Sequence, residues 1–110
     1  RRNSQGESLA KGERMAVTIL QKVKLALRIS HTLLDDEITD YIASARQEMK
    51  RAGMDAAKAD SSDDIIETAI KTYVLAQYAN SKDSERYNES FKYQLDNLRK
   101  SYPAEETSDV

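Results

Sequence analysis

Apolar positions recur every three or four residues through most of the chain, the spacing of one face of an α-helix. Ile38, Ile42, Ala45, Met49 and Ala52 form one such stripe and predict a helix over residues 36–52. Asp35, Asp36 and Glu37 at its start suit the positive end of the helix dipole, and Lys50 and Arg51 at its end suit the negative one. Gly53 follows, at the left-handed stop position that costs glycine least, and it is the only glycine after Met15. An earlier helix starts from Thr18, which with Gln21 makes the two halves of a capping box. Its apolar face is Ile19, Leu20, Val23 and Leu27, with Lys22, Lys24 and Arg28 pointing away.

Met54 to Ser62 reads as a connector with room for one helical turn at Asp55-Ala56-Ala57-Lys58. A third helix begins at Ser62 or Asp63 and carries Ile65, Ile66, Ala69, Ile70, Tyr73, Val74 and Tyr78. So broad a stripe serves two partners, which places this helix at the centre of the domain. Asn80-Ser81-Lys82-Asp83 reads as the next break. The fourth helix, residues 84–101, presents Tyr87, Phe91, Leu95 and Leu98, with Tyr102 beyond. Glu67/Lys71 and Asp96/Lys100 stand four apart, a spacing worth a few tenths of a kcal/mol on a helix surface. Strand-like alternation and long internal repeats are both absent.

Composition narrows this to an all-α class. The chain has 110 residues with one Pro, three Gly, no Cys and no Trp, so it supports one small bundle of about four helices. The division is a flexible N-terminal extension or cloning remnant over 1–14, a helical domain over 15–103, and a flexible acidic tail over 104–110. Deleting 104–110 is expected to leave the fold intact, since the tail offers almost no apolar surface. Without cysteine there is no disulfide, thiolate metal site or thiol nucleophile, which fits a reducing compartment. No apolar run approaches the roughly 20 residues of a membrane span, and residues 1–14 lack the apolar core of a signal peptide. Net charge is −2, and residues 15–103 hold 13 basic and 14 acidic groups, which gives no electrostatic case for duplex nucleic acid.

Candidate chemistry is sparse. Asp35, Asp36, Glu37 and Asp40 could be drawn as a metal site, but a helix start attracts acids for capping and dipole reasons alone. Asp60-Ser61-Ser62-Asp63-Asp64 reads the same way and lacks the glycine and terminal glutamate of a calcium loop. His31, the only histidine, has no second ligand for zinc and no partner nucleophile, and reads as a turn residue. Phosphate loops and nucleophile elbows are missing, so neither an enzyme nor a cofactor is expected. Arg46, Lys50 and Arg51 could touch phosphate, but the acids opening their helix would repel DNA from the end that reads bases. Six tyrosines against one Phe suit either a core with hydroxyls at the surface or a protein interface. Tyr93 falls off the Tyr87/Phe91/Leu95/Leu98 stripe and is the candidate interface residue.

The runs VKLALRIS and DDEITDYIASARQEMKRAG, with AIKTYVLAQYAN and FKYQLDNLRKSYP, resemble the head–tail connector (adaptor) family of tailed bacteriophages. The resemblance covers Ile19 to Pro103 and rests most on Leu27-Arg28-Ile29, Asp35-Asp36, Ile38, Ile42, Ala45 and Gly53. It implies a non-enzymatic virion protein at the head–tail junction, assembled in the bacterial host cytoplasm. Such a protein self-associates into a ring of about a dozen subunits beneath the portal protein, through heterologous contacts. The ring extends a channel through which DNA passes without sequence-specific binding, and it offers a platform to the next joining or tail protein. The residues alone leave a small helical nucleic-acid-binding or partner-binding regulatory module as the alternative.

Overall fold

Residues 18–104 are described by a computed structural model, so the expectations placed on 1–14 and 105–110 lie outside the described residues. Thr18 opens the first helix, α1 (Ile19–Leu27), through the predicted capping box: its hydroxyl accepts the Gln21 N–H, and its own N–H donates to Gln21 Oε1, both at 3.1 Å. The end of α1 was not anticipated. Arg28 adopts φ 63°, its N–H donates to Leu25 O, and the Ile29 N–H donates to Lys24 O. This is the paired-bond stop usually built on glycine. Gly53, at φ 105°, makes the same pattern after α2 (Asp35–Arg51), with N–H bonds from Gly53 to Lys50 O and from Met54 to Met49 O.

Four further boundaries or contacts differ from expectation. Helix α2 starts at Asp35, and neither its N-cap Leu34 nor Asp63, the N-cap of α4 (Asp64–Tyr78), makes a side-chain cap bond. The acids there serve the dipole and ion pairs instead. The connector does contain its short helix, α3 (Ala56–Ala59), capped by Asp55. The break expected at residues 80–83 shrinks to Ala79-Asn80, because Asn80 accepts the Asp83 N–H at 2.8 Å and starts α5 (Ser81–Ser101) at once. Ser84 Oγ donates to Ala76 O at 2.7 Å and ties the two helices at that corner. Glu67 does not pair with Lys71: it is buried and bonds Lys22 of α1 at 2.5 Å. The Asp96–Lys100 pair forms as expected, at 3.0 Å.

Helix α4 is central, as its broad stripe predicted. It packs most extensively against α5, also against α2 and α1, while α1 and α5 make no comparable contact with each other. The core takes Val23 from α1, Ile38, Ile42, Ala45 and Met49 from α2, and Ile66, Ala69, Ile70 and Val74 from α4. Phe91 and Leu98 come from α5, and the connector adds Met54 and Ala59, which the helical spacing did not mark. Ala52, placed on the α2 stripe, is only half-buried, and Ile65 faces outward because its neighbour Ile66 takes the inward position. At the far end the chain returns to its middle. Asp55 N–H donates to Tyr102 O and Ala104 N–H to Gly53 O, both at 2.8 Å, bracketing an isolated antiparallel bridge between Met54 and Pro103.

Candidate interaction surface

Five of the six tyrosines are engaged within the chain. Tyr41 and Tyr78 meet edge-on at 5.6 Å, and Tyr73 meets Phe91 at 5.1 Å. Tyr102 lies under the Lys58 ammonium at 4.3 Å, and Tyr87 beneath the Arg86 guanidinium at 5.7 Å. Such contacts account for a tyrosine-rich core whose hydroxyls reach its edge. Tyr78 shows the form most clearly: its O–H donates to Glu37 Oε1 at 2.8 Å, and burial together with this carboxylate pushes the phenol well above its usual range.

Tyr93 stands apart. It is 71% exposed and has no aromatic or cationic partner among the described residues. Helical spacing had set it off the buried stripe for the same reason. With Ile65, which is 51% exposed, it lines a groove of about 150 Å³ between α4 and α5, whose floor includes Leu98 and whose wall includes Gln94. Gln94 Oε1 is buried there without a hydrogen-bond partner.

Two further exposed leucines flank the corner between α1 and α2. Leu25 is 78% exposed and Leu33 is 84% exposed, and Lys24 forms an ion pair with Asp35 at 2.7 Å across the corner, drawing the end of α1 toward the start of α2. Sequence reading singled out neither leucine. Leu25 does fall off the Leu20/Val23/Leu27 stripe, the same signal that marked Tyr93; Leu33, in a turn, has no such register.

Most of the charged candidates are occupied by the fold, while Asp36, Asp40 and Asp64 stay exposed without a side-chain partner among the described residues. Arg46 Nη1 donates to Ala59 O at 2.8 Å and Ser61 O at 2.9 Å, closing the end of α3. Lys50 pairs with Asp60 at 3.0 Å and Arg51 with Glu48 at 3.1 Å. Asp63 pairs with Lys58, whose ammonium is held above its usual range by that bond. Glu67 does the same to Lys22. Asp35 and Glu37 are taken by Lys24 and Tyr78. Among the described residues no group of three or more acidic, His or Cys side chains could hold a metal ion. His31 is indeed a turn residue: its Nδ1 accepts the Leu33 N–H at 3.2 Å.

The fold is a small all-α domain in which many of the charged groups are paired within the chain and four large apolar side chains face outward, features that suit protein contacts. A family model described as phage connector protein matches residues 19–106, and the chain belongs to that family. The family is a structural one and points to a component of the virion. No curated protein and no solved structure matches the chain. No described helix is long and apolar enough to cross a membrane.

Proposed function

We propose that this chain is a head–tail connector that closes into a ring beneath the phage portal, extends the DNA channel, and provides the platform for the next joining or tail protein. It acts by contact alone, without catalysis or cofactor, at the head–tail junction of a virion assembled in the host cytoplasm. The observation that carries this reading is that the exposed large apolar residues fall at two different places, the α1–α2 corner and the α4–α5 groove. A cyclic ring needs two different surfaces on each subunit, whereas a two-fold dimer needs only one. The near balance of charge over residues 15–103 suits a conduit that lets DNA slide, because strong phosphate neutralisation would hold it.

Light scattering over a wide concentration range, with negative-stain images of any large species, tests the ring in the purified chain. Closed rings of about a dozen subunits are expected, alone or once the portal protein is added. A chain that stays monomeric alone and with portal protein, and that does not co-sediment with it, overturns the reading.

A further inference from the structure

We propose that Leu33 of one copy, flanked by its Leu25, seats in the α4–α5 groove of the next copy against Ile65 and Tyr93. This deepens the ring reading and rests on it. Four large apolar side chains stand out from the described surface, and they fall into two pairs. One pair rides on the α1–α2 corner, which the Lys24–Asp35 bond holds in shape. The other lines a concave groove, a hole for which the 84% exposed Leu33 is the fitting knob. Because α1 and α5 share α4 as a partner and make no comparable contact with each other, a knob cannot fill the hole of its own copy without dismantling the packing.

Size and charge agree with a second copy as the occupant. An apolar cavity of about 150 Å³ takes a benzene-sized group, so this groove of about 150 Å³ accepts a leucine side chain. Arg28 stands three residues beyond Leu25, and Glu89 stands one turn before Tyr93 on the stripe that continues through Asn97 and Ser101. Neither has an ion-pair partner among the described residues, so an arginine near the corner leucines and a glutamate one turn from the groove are both free to pair between copies. The orphaned Gln94 oxygen in the groove wall gains a donor from an arriving chain by a turn of its amide.

The natural chain has no cysteine, so any disulfide reports an engineered pair alone. A disulfide needs Cα atoms within about 7 Å, which only direct contact provides. The test oxidises the full chain carrying both L33C and Y93C, beside each single variant and an equal mixture of the two singles, with circular dichroism confirming the fold. A covalent ladder from the double variant, with a dimer from the mixture well above either single, supports the pairing. Dimers of L33C alone, as strong as those of the mixture, mean a two-fold contact and overturn it. Rings by light scattering without a ladder overturn the pairing while the ring reading stands. A monomeric chain without a ladder, alone and with portal protein, overturns both.

Discussion

Arg28 and Gly53 do the same job with unequal ease. Both end a helix with φ above zero and the same two backbone bonds. A side chain in that region costs roughly 1–2 kcal/mol, while glycine gives back roughly 0.5–1 kcal/mol through its looser unfolded state. Arg28→Gly is therefore expected to stabilise the monomer by about 0.5–1 kcal/mol, seen as a higher urea midpoint with unchanged slope. A lower midpoint would show that the Arg28 side chain holds the corner. Tyr78 sets a second expectation. Its phenol is raised above the ordinary 10.0 by burial and by Glu37, and the Lys22 and Lys58 ammonium groups are raised by Glu67 and Asp63. All three bind their protons more tightly when folded. Their contribution is complete below the unfolded values and is lost as pH climbs from about 10 through the folded ones. Thermal melts should fall over that window, and Tyr78→Phe should flatten the fall; an equal slope in the variant would remove Tyr78 as a cause.

At the scale of elements, the return of the chain to α2 decides what the C-terminus contributes. Among the described residues, a deletion of 104–110 removes one backbone bond, from Ala104 N–H to Gly53 O, while the helices keep all of theirs. A chain ending at Pro103 should keep its helical signal and unfold about 0.5–1.5 kcal/mol more easily than one ending at Ala104. Loss of the helical signal would show that the bridge holds α5 in place. Sequence periodicity reads these helices well where one face is buried: the stripes of α2 and α4 hold most of the core, and the broad stripe identified the central helix. It misses what is not periodic. Met54 is buried by the bridge to Pro103, a contact between distant segments that leaves no local trace. Asn80 was read as part of a break, since a capping side chain and a loop residue look alike until the Asp83 N–H is placed. Tyr93 was legible because it sits off a stripe, whereas Ile65 was assigned inward because Ile65 and Ile66 both fit a broad apolar arc.

For the whole molecule, the two apolar patches matter more than any single residue. The fold spends its charges internally, on Lys22–Glu67, Lys24–Asp35 and Lys50–Asp60, and each pair joins different segments. Among the charged groups that stay outside, the fold also leaves four large apolar side chains, two near a corner and two along a groove, an arrangement that suits subunits meeting head to tail. The backbone bridge at Gly53–Asp55 has a separate consequence, which is kinetic. It closes a loop containing α3, α4 and α5, and the entropy of closing a loop grows with its length. Individual helices relax in about a microsecond or less, and the α4–α5 hairpin can zip from its tight Ala79-Asn80 corner. Joining Tyr102 to Asp55 is cheapest once that hairpin has brought them together, so the clasp is expected to form after the hairpin rather than to nucleate it.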